Sequence, residues 1–180
     1  MTRIVVDVSV AVKWCLPAQG EQLVLEAERL LASYRRDDVE FLVPDLFWPE
    51  LANALWKGVW KEKIDDAWAE KAYHEVRDLD ISTIESFEFV PKALQLAVRH
   101  RRTVYDCLYV ALALQSRAEL ITADERLANA FAAQLPVKWL GAVLLGRKLC
   151  ALDQSRSQHV KAHWHPGSTT ASTQVLLWCS

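Results

Sequence analysis

The stretch Thr103–Asp124, TVYDCLYVALALQSRAELITAD, decides how this chain folds. From Val104 to Leu114 nearly every residue is apolar, which leaves a helix without a solvent face, the pattern of a helix inside a layered domain. Ser116 to Glu119 break the run, and Leu120 to Ala123 read as a short buried strand. Asp106 falls in the first turn of the helix, and Asp124 directly follows the strand. An acid at the edge of each of two buried elements needs a chemical reason.

Outward from this stretch, the same signals recur. Ile4, Val5 and Val6 form a β-branched run without alternation, as in a parallel-sheet strand covered on both faces, and the run ends at Asp7. Ser9 follows, then a short helix around Ala11–Trp14 that closes near Pro17. Helical spacing of Leu23, Ala27, Leu30 and Leu31 predicts a helix over Glu21–Ala32, and Phe41–Val43 a second buried strand stopped by Pro44. In PDLFWPELANALWKGVWKEK, Asp45 is the expected N-cap of a helix over about 46–61, with Pro49 and Glu50 near its start. Further helices are predicted over Asp65–Val76, capped by Asp65, over Pro91–His100 and over Glu125–Ala133. Leu79–Ile84 reads as a more exposed strand and Val137–Leu140 as a last short one. This alternation predicts a three-layer α/β sandwich, a central parallel sheet flanked by helices.

A chain of 180 residues, 52% hydrophobic and 24% charged, is one globular domain's worth. A net charge of −2 argues against coating nucleic acid through overall charge, while leaving room for a local basic patch. No apolar run approaches the roughly 20 residues needed to cross a bilayer, and the N-terminus lacks a secretory pattern, so a cytoplasmic location is expected. Cys15, Cys107, Cys150 and Cys179 form no C-x-x-C pair, which gives no zinc or redox signal. Periodicity fades after about Gly146, so we read residues 1–145 as the domain and 146–180 as a polar, poorly ordered extension. The extension's His159, His163 and His165 have no neighbouring Cys or carboxylate pair to complete a tetrahedral metal set.

Ligands of open parallel sheets bind beyond the carboxyl ends of the strands. Asp7 and Asp124 sit at such ends, and Glu50 and Asp106 sit near helix starts that right-handed crossovers bring to the same edge. Four carboxylates in one cleft must hold protons or bind cations: two like charges ~4 Å apart repel by about 4 kcal/mol at an effective dielectric near 20. An all-oxygen ligand set suits Mg²⁺ or Mn²⁺, which would activate water for attack on a phosphodiester. Each acid also has a local alternative. Asp106 could complete a T-x-x-D capping box with Thr103, Glu50 could answer a helix dipole, and Asp7 and Asp124 could cap the helices that follow them.

The strings VVDVSVAVKW, PDLFWPELANALW, TVYDCLYVALA and ITADERLA resemble, in order and separation, the four motif blocks of PIN-domain ribonucleases, in particular the VapC-type toxins of bacterial toxin–antitoxin pairs. The likeness spans roughly Arg3 to Gly141. It implies a PIN-like fold and a Mg²⁺- or Mn²⁺-dependent endoribonuclease whose acidic quartet is Asp7, Glu50, Asp106 and Asp124, with Asp7 and Asp106 the most direct metal ligands. Ser9, Asn53 and Thr122 match supporting positions. The resemblance also implies an RNA substrate, transfer RNA being common among relatives, a small VapB-type antitoxin that binds DNA as a dimer and blocks the cleft, and toxin homodimerisation. The extension after Gly146 departs from the family pattern.

Lys57, Lys61 and Lys63, with Arg99, Arg101 and Arg102, could hold RNA phosphates around the acids, with a solvated surface as the alternative. Trp48, Trp56, Trp60 and Trp68 crowd two neighbouring helices, and one or two could line an apolar groove for a partner helix. His74 and His100 adjoin no acid motif, and no Gly-rich phosphate loop exists, so metal-free histidine catalysis and nucleotide-loop chemistry fit worse. Two other readings remain open at this stage: a non-catalytic PIN-fold module that binds RNA or protein, and a nucleic-acid-processing nuclease that is not a toxin.

Overall fold

Ile4 to Val6, Phe41 to Pro44 and Leu120 to Thr122 are each buried in succession, as strands must be when helices cover both sheet faces. In the computed structural model, which describes residues 1–18 and 21–143, they are the inner strands of a five-stranded sheet. The strands are β1 (Thr2–Val6), β2 (Val39–Pro44), β3 (Ser82–Ile84), β4 (Glu119–Thr122) and β5 (Val137–Trp139). Their order is β3-β2-β1-β4-β5, and every pair is parallel.

The connections carry α1 (Val8–Cys15), α2 (Val24–Arg35), α3 (Phe47–Trp60), α4 (Asp66–Arg77), α5 (Val90–His100), α6 (Val104–Ser116), α7 (Glu125–Phe131) and α8 (Leu140–Val143). Travel from β1 to β3 runs one way across the sheet, and travel from β3 to β5 runs the other. Right-handed crossovers therefore put α1–α4 on one face and α5–α7 on the opposite face. α6 lies over β1, β2 and β4, and its residues Cys107 to Ala113 are buried without a break, as its composition required. On the other face, Trp14 and Tyr34 each stack on Phe41, with ring centroids 6.0 and 4.4 Å from it. Trp14 also donates its Nε1–H to the Ala27 carbonyl at 2.9 Å, which joins α1 to α2.

Most predicted elements are present, with shifted ends. α2 starts at Val24, after Leu23 in a left-handed conformation (φ 64°), and runs to Arg35, beyond the predicted end at Ala32. The third strand is confined to Ser82–Ile84 at the sheet edge. Asp65 caps α4 as expected, accepting from Trp68 N at 2.7 Å. Asp45 does not cap α3, because the cap position is Leu46. Its Oδ1 accepts instead from Leu46 N at 2.8 Å and from the Ser86 hydroxyl, tying the end of β2 to the connection after β3. No helix among the described residues is long and apolar enough to cross a membrane. The extension assigned to 146–180, its histidines and the boundary at 145 lie outside the described residues.

Candidate active site

The sheet's switch point lies between β1 and β4, whose onward connections leave in opposite directions. A crevice opens beyond such a pair of carboxyl ends. Asp7 is the first residue after β1, and its N–H continues the ladder to the Ile121 carbonyl at 3.0 Å. Its side chain is only 6% exposed.

Two hydroxyls fix that carboxylate. Ser9 Oγ and Thr122 Oγ1 each donate to Asp7 Oδ2 at 2.5 Å. Ser9 Oγ accepts from Ala123 N (2.9 Å) and Thr122 Oγ1 from Asp124 N (3.0 Å), so backbone donors occupy their acceptor sides and turn both hydroxyl protons toward Asp7. Asp7 Oδ1 takes no hydrogen bond from the described residues. Asp7 occupies the N-cap position of α1 yet makes no capping bond, which removes its local explanation. Burial pushes its carboxyl above the ordinary range; Ser9 and Thr122 oppose that rise, and Asp106 and Asp124 add to it.

Glu50 projects from the first turn of α3 and is half-buried. Its Oε2 accepts from the Tyr109 hydroxyl at 2.6 Å. Burial raises its carboxyl as well, Tyr109 counters, and the charges of Asp7 and Asp106 raise it further. Tyr109 is 1% exposed, on the buried face of α6. Burial, then Asp7 and Glu50, push its phenol far above the usual range, so it remains a donor. Sequence reading passed over Tyr109. The signal was a phenol one turn after Asp106 in an otherwise apolar helix, which must find an acceptor once buried.

Asp106 lies in the first turn of α6, where Thr103 Oγ1 accepts from its backbone N–H at 3.0 Å. The reciprocal bond of a capping box is not made, so Thr103 caps the helix, and the Asp106 carboxylate lies near enough to Asp7 and Glu50 for its charge to raise both their carboxyls. Asp124 does cap: its Oδ1 accepts from Arg126 N and Leu127 N at 2.8 and 3.2 Å. Its other oxygen takes no hydrogen bond from the described residues. Asn53 is exposed one turn beyond Glu50. Arg99 and Arg101 are exposed at the end of α5, whereas Arg102 donates to the Arg126 carbonyl and braces the α5–α6 connection against α7.

The donor set is wholly oxygen: four carboxylates, with two hydroxyls behind Asp7. Among the described residues, no three Asp, Glu, His or Cys side chains stand close enough together to chelate one ion unaided. A hard cation that keeps several of its waters needs only one or two direct carboxylates, and this arrangement fits that mode. Cys15 and Cys107 are buried, with thiols pushed up by burial to about 12 and about 11, and supply no thiolate.

Four mutually interacting carboxylates about the switch point of a parallel sheet ordered β3-β2-β1-β4-β5 define the class of this chain. The chain belongs to the PIN-domain family, whose model matches residues 4–131. It is 31% identical over 135 residues to the ribonuclease VapC3 of Pyrobaculum aerophilum, an alignment covering 73% of this chain and 96% of that one. Its fold is similar to a crystal structure of a P. aerophilum protein (TM-score 0.61, 21% identity, 83% of this chain and 90% of that one). It is also similar to a chain of a toxin–antitoxin complex from Klebsiella pneumoniae (TM-score 0.52, 17% identity, 75% and 95% coverage). A third likeness is to a chain of VapBC2 from Rickettsia felis bound to a promoter DNA fragment (TM-score 0.52, 9% identity, 77% and 98% coverage).

Proposed function

We propose that this protein is a divalent-metal-dependent endoribonuclease and the toxin of a toxin–antitoxin pair. The observation that carries the reading is Asp7: one oxygen held by two hydroxyls, the other without a hydrogen bond from the described residues, in a buried position where desolvation first, and then Asp106 and Asp124, raise its carboxyl. Such a group is stabilised by a cation. Family membership and a relative named as a ribonuclease support the reaction, and structural neighbours that are toxin–antitoxin complexes support the context.

In this reading Asp7 and Asp106 would hold the ion directly, Glu50 would serve a second ion or orient water, and Asp124 would act through one of the waters that the ion keeps, with the oxygen its cap leaves over. When bound, Mg²⁺ or Mn²⁺ polarises the phosphodiester and lowers the pKa of water. The chain's own residues do the positioning. Ser9 and Thr122 lock the rotation of Asp7, and Tyr109 holds Glu50 from beneath. Arg99 and Arg101, which have no ion-pair partner among the described residues, are assigned to RNA phosphates, with Arg102 acting mainly as a brace. Asn53 supports the Glu50 side of the cleft.

Residues 1–145 form the nuclease domain, and the protein acts in the cytoplasm on RNA, with transfer RNA the first candidate. A VapB-type antitoxin is its partner. α5 exposes Val90, Leu94 and Val98 at four-residue spacing, a stripe we assign to homodimer contact. A non-catalytic binding module is disfavoured because it would have no use for the complete acidic set. Mapping cleavage sites on total RNA with Mg²⁺ or Mn²⁺, beside Asp7→Asn, tests the reading: metal-dependent cuts absent from the variant are expected. Cuts that persist in Asp7→Asn, or that ignore EDTA, would overturn it.

A further inference from the structure

Three of the tryptophans on the α1–α4 face are anchored through Nε1: Trp14 to the Ala27 carbonyl, Trp48 to Thr83 Oγ1 and Trp68 to the Cys15 carbonyl. Trp56 and Trp60 are different. They are 58% and 71% exposed, lie one turn apart on α3, and stack with planes 9° apart and centroids separated by 6.2 Å. Neither indole N–H has a partner among the described residues.

Their surroundings are basic and polar. At 100° per residue, Lys57 falls between the Trp60 and Glu50 lines of α3, with Asn53 beside Trp60. Lys61 is the C-cap of the helix. Lys57 and Lys61 form no ion pair among the described residues, whereas Lys63 is engaged by Glu21 at 3.4 Å. Between Leu51 and Ile64 there are three lysines and one acid, Glu62. A groove for an apolar peptide would need aliphatic walls, but the exposed neighbours on α3 are Ala52, Asn53 and Lys57. Stacked aromatics interleaved with cations are what unpaired bases and their phosphates require.

We infer that Trp56 and Trp60, with Lys57 and Lys61, form a stacking platform for single-stranded RNA leading to the acidic cleft. The inference rests on the ribonuclease reading and specifies its substrate as RNA with splayed-out bases. Duplex bases are already stacked on one another and cannot lie on an indole face. The platform begins about 9 Å along the helix from Glu50 and ends about 15 Å along it, counting 1.5 Å per residue, within the span of a few nucleotides.

The test uses the full chain carrying Asp7→Asn, so that RNA stays intact, with Mg²⁺ present. Fluorescence anisotropy measures binding of a labelled, unstructured 15-nucleotide RNA and of the same strand in a duplex. Trp56→Ala and Trp60→Ala should each weaken single-strand binding about tenfold. Phe at both positions should restore most of it, and duplex binding should barely move. Lys57→Ala with Lys61→Ala should flatten the salt dependence by the equivalent of one to two phosphate contacts, a slope change of about 0.7 each. Both rings are exposed, so the melting temperature should barely move. Single-strand affinity unchanged in the double Ala variant would overturn the platform. So would equal losses for single strand and duplex, or RNA binding unchanged while association with an antitoxin or a second copy is lost. The last result would give the face to a protein partner. Cleavage by the Asp7 protein is scored separately: tryptophan-dependent binding without any cleavage keeps the platform and removes the ribonuclease reading, and cleavage with tryptophan-independent binding does the reverse.

Discussion

Tyr109→Phe isolates one hydrogen bond at the centre of the site. The substitution keeps the ring that fills the space under α6 and removes only the hydroxyl that donates to Glu50 Oε2 at 2.6 Å. A hydrogen bond to a charged group contributes about 1.5–3 kcal/mol, and because Glu50 is partly open to water we take the lower end. If that interaction orients Glu50 in the transition state, about 1.5 kcal/mol corresponds to a loss of roughly tenfold in kcat. The sign on pH follows from the same bond. Tyr109 lowers the Glu50 carboxyl against burial and the charges of Asp7 and Asp106. Removing it raises that carboxyl further, so the acidic limb of the pH–rate profile should move to higher pH and the loss should shrink as pH rises. The assay is single-turnover cleavage of a fixed RNA between pH 5 and 9, with KM followed separately. KM should change little, because Tyr109 is buried away from the substrate. Unchanged kcat with superimposable pH profiles would refute the role. A Tm drop much beyond the ~3–6 °C expected for about 1.5 kcal/mol would mark Tyr109 as chiefly a packing residue.

Three other outcomes are expected. Asp7 and Glu50 have raised carboxyls in the folded state, so the native protein holds protons that the unfolded chain has already lost, and metal-free stability should fall as pH rises from ordinary carboxyl values of 3.8 and 4.5 through the raised ones. Thermal melts should show Asp7→Asn flattening that fall and raising the metal-free Tm at pH 7, with the advantage gone in saturating Mg²⁺; a variant that melts lower at pH 7 without metal would contradict the charge balance drawn here. Val98→Glu places two charges in any symmetric contact through the α5 stripe, where Val98 is 74% exposed, so light scattering should report monomers against a wild-type dimer. A variant that remains dimeric places the contact elsewhere. Truncation after Gly146 should leave the cleavage rate within about twofold, since every residue assigned to the site precedes it; an inactive truncated protein would make the extension part of the enzyme.

Much of this was legible because buried parallel strands are written as continuous apolar runs. Ile4–Val6, Phe41–Val43 and Leu120–Ala123 could be read directly, the last one residue out of register with the observed strand, and the acids that end or follow them then pointed to one sheet edge. The capping alternatives were legible too, but a sequence cannot apportion them: Asp124 caps α7 with one oxygen, whereas Asp7 stands at a cap position and caps nothing. Asp45 looked like a cap and serves as an acceptor for Ser86, 41 residues away, a pairing set by tertiary packing. Tyr109 was hidden by its own helix, since an aromatic residue in an apolar run reads as core until its acceptor is located. The tryptophans could have been sorted further: at 100° per residue Trp48 falls beside the buried Leu55, whereas Trp56 and Trp60 fall on the far side of α3, and only the Trp48 bond to Thr83 needed the tertiary fold.

The account depends on carboxylates from separate parts of the chain sharing a cation. Titrating metal-free protein with Mn²⁺ and following free ion by electron paramagnetic resonance measures that directly, without RNA. Saturable binding is expected for the wild type, tightening as pH rises because protons leave Asp7 and Glu50 on binding, and weakening at least tenfold in Asp7→Asn and in Asp106→Asn. Equal Mn²⁺ affinity in the wild type and both variants would contradict it.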